Sequence, residues 1–532
     1  MPKLWARTVT VARVAAALAL ASLGVVVAQA PAYAHDYQAA INYDAVSGSG
    51  SSWASIAIDQ WSQAVRQNGL VVNYNTDGSA AGRADYVANQ DDFAGSDPPF
   101  RNGKDQLGGT GAEYPEGFSY IPDTAGGTAF IYHIEDNGHL IRNLRLNSKV
   151  LFEIFTGQIK NWDDPRIKAI YGGTLPNLPI TPVIRSDGSG ATYFFTLWMS
   201  KMYPSEWNRF CSSVHPGIHD PCGQTEFYPQ FGSAKAENGS NNVVAYITST
   251  YGNGSIGYDE YAYALNSHYP VVQLLNPDNY FVGPTASNVA VSLHHAVINE
   301  DSHSSSFLQQ NLTPLYTYKD PRDYPLSSYS YLIVPRERQK EPQNFTDGKG
   351  KSLSTWINYV LCSGQAHLDQ LGYSPLPQNL VQGGLIQNAL IPGNVSIKFN
   401  QLRNCGNPTM DHGVDDLLAH AKVPGPCQHL GAPLHCTVKN GKATATGSSS
   451  GNKGPKAAAS AGATTGTGST TTTQTGPVAG PTGPVTGVVV NLASDKSNVA
   501  TLGTLTAVGI VLAVAIPPLI AAWLRRRGQA HG

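Results

Sequence analysis

The sequence predicts an α/β domain whose ligand-binding loops gather at the carboxyl ends of strands. Two observations predict it. Short apolar runs of strand character alternate with runs of helical period. Four of the strand ends pass into loops rich in glycine and serine, and three of those loops open helices. The first strand is "AINYDAV", which ends in "SGSGSSW"; Trp53, Ala57, Trp61, Ala64 and Val65 then recur at helical spacing up to Asn68-Gly69. "LVVNY" is a second strand, followed by "NTDGSAAGRADYVA", again a glycine–serine turn into a helical run. In "DDFAGSDPP" a short strand leads to Ser96, Asp97 and two prolines. The fourth strand, "LPITPVI", passes through "RSDGSGAT" into the helical "YFFTLWMSK".

The repetition of these loops carries a chemical implication. In open α/β sheets, ligands sit beyond the carboxyl ends of the strands. A helix N-terminus there presents unpaired N–H groups and about half a positive charge, which suits an oxyanion. Serine at such a turn has a plainer role as a helix cap, and Asp97 before two prolines could simply fix a turn. Together, however, the loops set a cation, Arg185, beside two carboxylates, Asp187 and Asp97. An oxyanion that keeps a proton, such as hydrogen phosphate, donates to a carboxylate, whereas sulfate leaves acceptor facing acceptor at a cost of about 1–3 kcal/mol. On this reading Arg185 attracts the anion, Asp187 orients Arg185, and Asp97 tests for the proton.

The ends of the 532-residue chain are of a different kind. Residues 1–34 carry Lys3, Arg7 and Arg13 ahead of an apolar stretch and finish in Ala32-Tyr33-Ala34, the pattern of a cleaved signal peptide. Residues 441–498 are rich in Gly, Ser, Thr, Ala and Pro and read as a flexible linker. Val499–Leu524 is uncharged and long enough to span a bilayer despite Pro517 and Pro518. Arg525, Arg526 and Arg527 follow, so residues 525–532 are expected to be a cytoplasmic tail. The body is therefore expected outside the cell, tethered by a single C-terminal helix. All six cysteines lie in that body, where an oxidising setting favours bridges. Sequence proximity suggests Cys211–Cys222 and Cys427–Cys436, which leaves Cys362–Cys405. There is no C-x-x-C spacing and the histidines are scattered, so neither a metal nor a cofactor is expected. A net charge of −2 argues against a nucleic-acid partner.

An ordered series of segments carries a family resemblance. "GSGSSW", "VNYNTDGSAAGR", "DDFAGSDPP", "LRLNSKVLFEIFTGQIKNWDDPRI", "ITPVIRSDGSGAT", "GSIGYDEYAYA", "YPLSSYSYLIVP" and "LGYSPLPQNLV" resemble the phosphate-binding proteins of the Pst-type phosphate ABC transporter, in their larger actinobacterial form. The resemblance implies a two-lobed, type II periplasmic-binding-protein (Venus-flytrap) fold. Lobe 1 would combine residues 35–124 with 324–385, lobe 2 would be 125–323, and 386–440 would be a cysteine-containing extension. Inorganic phosphate would be held by Ser52 and Trp53 in the first loop, Ser79 in the second and Asp97 in the third. Arg185, Ser189, Gly190 and Ala191 would close from the other lobe, supported by Asp187, Gly188 and Thr192. The partners implied are ABC permease subunits. The sequence departs from the family at Ser52-Trp53-Ala54, where Thr-Phe-Pro is common. It departs again at Ala191, which replaces a hydroxyl-bearing Thr unless Thr192 substitutes.

Two other classes compete with this reading. An enzyme would need a nucleophile, but no G-x-S-x-G elbow is present. "GKGKS" (348–352) has Phe345 where a phosphate loop needs glycine, and is expected to be a surface loop before the helix "LSTWINYVL". A tethered sensor or adhesion module could keep the fold with a changed or lost ligand. Sequons such as Asn238-Gly239-Ser240 are read as chance matches on a polar surface.

Overall fold

The computed structural model describes residues 42–446 apart from 104, 110–112, 114–115, 219–220, 338–344, 403–404 and 411–414. The expected signal peptide, the membrane span with its basic tail, and the linker beyond residue 446 lie outside the described residues. Among the described residues no helix is long and apolar enough to cross a membrane.

Strands β1 (Val46–Gly50), β2 (Val72–Asn75) and β3 (Phe93–Ser96) run parallel, with β1 in the middle. β1 starts later than its apolar flank suggests and occupies the glycine–serine stretch itself. The reason is packing: the Phe93 ring covers Gly48, and a Cβ there would collide with it. After the first loop comes helix α1 (Ser55–Arg66), which buries Ala57, Ile58, Trp61 and Val65 on one face. Trp53 precedes this helix and is buried in the loop. Helix α2 (Ser79–Val87) follows β2 after Gly78, whose φ of 100° is open to glycine and strained for other residues. The third loop opens no helix, because Pro98 and Pro99 follow Asp97 directly.

Strand β4 (Phe118–Tyr132) joins the two wings of the sheet. The further strands are β5 (Thr181–Arg185), β6 (Lys235–Glu237), β7 (Ser255–Glu260) and β8 (Ser327–Pro335). The order across all eight is β2-β1-β3-β8-β4-β7-β5-β6. Residues 118–127 of β4 pair with β8, and residues 128–132 pair with β7, both antiparallel. Ser330 faces Thr124 and Tyr331 faces Pro122, so Asp123 is a bulge. A bulge is where a strand tolerates a proline, which has no N–H to give the ladder. β7, β5 and β6 are parallel neighbours. Helix α3 (Gly190–Met202) follows β5, and α4 (Gly239–Thr248) follows β6.

Residues 348–352 do not form a surface loop. They lie in the first turns of helix α5 (Asp347–Val360), whose cap is Thr346, with its hydroxyl accepting from Lys349 N–H at 3.1 Å. A Cβ at Gly350 would overlap the Pro392 carbonyl, so close packing accounts for that glycine. The three disulfides are Cys211–Cys222, Cys362–Cys405 and Cys427–Cys436, as expected from the sequence. The second ties the C-terminal extension to the end of α5. Further on, Leu430 N–H reaches the Asn279 carbonyl at 2.8 Å, and Arg145 Nη2 reaches the Cys427 carbonyl at 3.1 Å. A hairpin of Cys436–Lys439 with Lys442–Ala445 then carries regular structure into the start of the expected linker.

Candidate functional site

β1, β2 and β3 are parallel, so their carboxyl ends bring the first three loops together. Asp97, directly after β3, is 1% exposed. Ser51 Oγ donates to its two oxygens at 2.8 and 2.9 Å, and Ser79 Oγ, on the first residue of α2, donates to Oδ2 at 3.0 Å. Burial pushes the Asp97 carboxyl above its ordinary range, against the serine hydroxyls and the Arg185 charge. The opposite wing packs against it: a Cβ at Gly190, the first residue of α3, would collide with the carboxylate.

Arg185 ends β5 and is also 1% exposed. Its Nε donates to Asp187 Oδ1 at 2.7 Å, and Nη2 pairs with Asp187 Oδ2. Gly239 N–H also donates to Asp187 Oδ1, at 3.0 Å. Burial opposes the Asp187 charge, yet Arg185 outweighs it and holds the carboxyl below its usual range. Across the wings, Arg185 Nη2 reaches Ser52 Oγ at 2.9 Å, while Nη1 reaches Ser240 Oγ at 3.1 Å. Ser52 Oγ and Ser240 Oγ are 2.8 Å apart. The wings also touch through Ala80 N–H to the Gly188 carbonyl at 3.1 Å and through the buried pair Arg83 Nη2–Glu226 Oε1 at 2.7 Å.

The remaining sequence-derived candidates divide into two groups. Ser52, Ser79, Asp97, Arg185, Asp187 and Gly190 converge on one point between the wings. Trp53 contributes a carbonyl that accepts from Tyr373 OH at 2.7 Å, and its ring stands edge-on to Tyr373. Ser189 is spent locally: its hydroxyl caps α3 by accepting from Thr192 N–H at 3.4 Å, and its N–H donates to the Glu226 carbonyl at 3.0 Å. Ala191 is fully buried. Thr192 does not replace the hydroxyl that Ala191 lacks, because its Oγ1 is 2.8 Å from Tyr258 OH.

Three residues at the site escaped the sequence reading. Ser51 belongs to "GSGSSW", where nothing local separates it from its neighbouring serines. Ser240 lies in the sequon read as a chance match, yet it is fully buried at the start of α4 and touches both Arg185 and Ser52. A signal existed: "ENGSNN" after β6 is one more glycine–serine turn from strand to helix. Asp259, at the end of β7, accepts from Ser240 Oγ at 2.8 Å; nothing in the local pattern marks it. Four helices (α1 to α4) thus begin around a buried guanidinium and a buried carboxylate. That arrangement suits a small oxyanion that still carries a proton. Among the described residues no group of three or more His, Cys, Asp or Glu side chains is placed to hold a metal ion.

Residues 28–363 match the PBP superfamily domain, which is more than half of the chain. The chain belongs to the PBP superfamily. Among its PBP relatives, the phosphate-binding protein PstS of Methanocaldococcus jannaschii is 27% identical over 345 residues, covering 63% of this chain and 83% of the relative. PstS of Pasteurella multocida is 28% identical over 341 residues, covering 63% and 88%. Phosphate-binding protein PstS 2 of Mycobacterium tuberculosis is 28% identical over 337 residues, covering 62% and 83%. A solved high-affinity periplasmic phosphate-binding protein, PfluDING, bound with phosphate, is 17% identical at a TM-score of 0.48, covering 68% of this chain and 98% of that one. The PBP match and the mixed eight-stranded sheet agree on the α/β class.

Proposed function

We propose that this protein is an exported solute-binding protein that captures inorganic phosphate between two lobes and delivers it to ABC permease subunits, without catalysing a reaction. The observation that carries this reading is the buried meeting of Arg185 and Asp97 between opposite wings, ringed by the hydroxyls of Ser51, Ser52, Ser79 and Ser240. Its relatives named as phosphate-binding proteins match along most of their own length. In the proposed arrangement, lobe 1 combines the chain up to about Thr124 with the segment returning from about Tyr324, and the residues between form lobe 2. Ser52, Ser79, Asp97, Arg185 and the α3 start around Gly190 hold the anion; the backbone of Trp53 and Ala191 lines it, while Ser189 caps α3; Asp187 braces the guanidinium. Because the anion touches both lobes, it binds the closed form better than the open one, and that difference drives closure. The C-terminal span would keep the protein at the outer face of the membrane.

Calorimetric titration of the purified full-length protein tests the reading. Phosphate is expected to bind and sulfate to be rejected. In Asp97→Asn the side-chain amide offers sulfate a donor, so discrimination is expected to fall by about tenfold or more, in line with an unmade bond of about 1–3 kcal/mol. Wild-type protein that binds neither anion, or both equally, would sink the phosphate assignment.

A further inference from the structure

Asp259 is fully buried behind Arg185. Its Oδ1 accepts from Ser240 Oγ and from Glu260 N–H, both at 2.8 Å. Its Oδ2 has no hydrogen-bond partner among the described residues and stands 3.6 Å from Arg185 Nη1. Two consequences follow from this geometry. Arg185 is shared between two carboxylates, Asp187 and Asp259, before any anion is counted. The Ser240 proton points to Asp259, so Ser240 Oγ turns lone pairs towards Arg185 and Ser52. Ser240 and Asp97 are thus both acceptors at the meeting point, one from each wing.

We propose that Asp259 is a specificity-determining residue of the anion site, which biases it towards the singly charged, proton-rich form of the oxyanion over the doubly charged one. The proposal rests on the phosphate reading. A dianion would bring a second negative charge among Asp97, Asp187 and Asp259 with one guanidinium to answer it. It would also turn a bare oxygen towards Ser240 Oγ, whose proton is committed to Asp259, where an O–H that takes the place of Ser52 fits. Dihydrogen phosphate supplies a proton for each of the two acceptors.

The groups that face Asp259 are Arg185 and Asp187 on β5 and its loop, Glu260 beside it on β7, Tyr263 on the helix that follows, and Tyr373 on the returning segment. Asp97 and Asp123 approach the same acid cluster from the first wing. Burial raises the Asp259 carboxyl to about 6, with Arg185 working the other way. Above that pH the group is charged and repels a dianion; below it the repulsion is relieved. Both the ligand's protonation and that of Asp259 therefore make binding tighter as pH falls.

The test is phosphate titration of the full-length protein between pH 5.5 and 8, in wild type and in Asp259→Asn, which keeps the acceptor for Ser240 and removes the charge. Wild-type affinity is expected to weaken with rising pH by about tenfold more than that of the variant, and at pH 8 Asn is expected to bind more tightly. Parallel profiles would overturn the proposal while leaving phosphate capture intact. A second measurement needs no variant. Titrations of wild type near pH 7.5, in buffers of different ionisation enthalpy, should show net proton uptake with each phosphate bound. Zero uptake or proton release would also overturn it. Wild type that binds no phosphate at any pH removes the phosphate assignment first and this inference with it.

Discussion

Asp323 sits beside Ser292, whose single hydroxyl touches both its carboxyl group and the Tyr324 carbonyl oxygen, the latter at 2.6 Å. One proton cannot satisfy two acceptors. If Asp323 is neutral, it donates to Ser292 and the hydroxyl is released to Tyr324. Burial acts in the same direction and raises the Asp323 carboxyl to about 7. A carboxyl raised above its unfolded value of about 3.9 contributes stability that is complete below that value and lost as pH climbs through the folded one. Denaturant midpoints are therefore expected to fall between pH 4 and 7 more steeply in wild type than in Asp323→Asn. Equal slopes would show that this carboxyl titrates normally. At the same scale, Ala191, Thr192 and Ser240 show how local reading misleads. Thr192 carries the expected hydroxyl but turns it to Tyr258, while Ser240, at the start of α4 and 55 residues beyond Arg185, brings an oxygen that accepts from Arg185.

Among the elements, α3 has its first residue wedged against Asp97. Alanine has a higher intrinsic helix propensity than glycine by about 1 kcal/mol, so Gly190→Ala would favour an isolated helix. Here the added methyl group meets a carboxylate that Ser51 and Ser79 hold in place. Packing across the wings wins over propensity. The variant is expected to keep its helical circular dichroism and to lose phosphate affinity by about tenfold, as for one hydrogen bond to a charged group. Unchanged affinity would mean that Asp97 yields freely. Helix α5 shows the converse, a stretch whose local chemistry understated its order. Two glycines and two lysines read as a loop, yet Thr346 caps the helix and Lys349 Nζ pairs with Asp92 Oδ1 at 2.8 Å.

For the whole molecule, the two wings meet through charge as well as through the site. Arg83 is fully buried between Glu113 Oε2, at 2.8 Å from its Nε, and Glu226 Oε1, at 2.7 Å from its Nη2. Glu226 belongs to the opposite wing, so any separation of the wings exposes both partners of that pair. Such a contact favours the closed arrangement that a ligand would need. Glu226→Gln keeps the shape and removes the charge. Its phosphate affinity is expected to drop by about fivefold to tenfold through faster release, at the low end of the 1–3 kcal/mol common for coupling between distant sites. Stopped-flow release rates equal to wild type would show that the pair does not contribute to closure.

The sequence by itself determined the α/β class and the glycine–serine turns at strand ends; it suggested the two disulfides of short separation and pointed to Arg185, Asp187 and Asp97 as candidates. These are local matters: capping, turn chemistry and period are set by residues a few positions apart. The tertiary structure alone decided where Ser240 and Asp259 stand, that Thr192 is engaged elsewhere, that Glu226 answers Arg83, and that Gly48 lies inside a strand under Phe93. Each depends on a partner far along the chain, brought near by strand pairing within a wing or by the meeting of the two wings. A buried polar group must find its partner wherever the fold places one, and that choice leaves no period or spacing in the sequence to read.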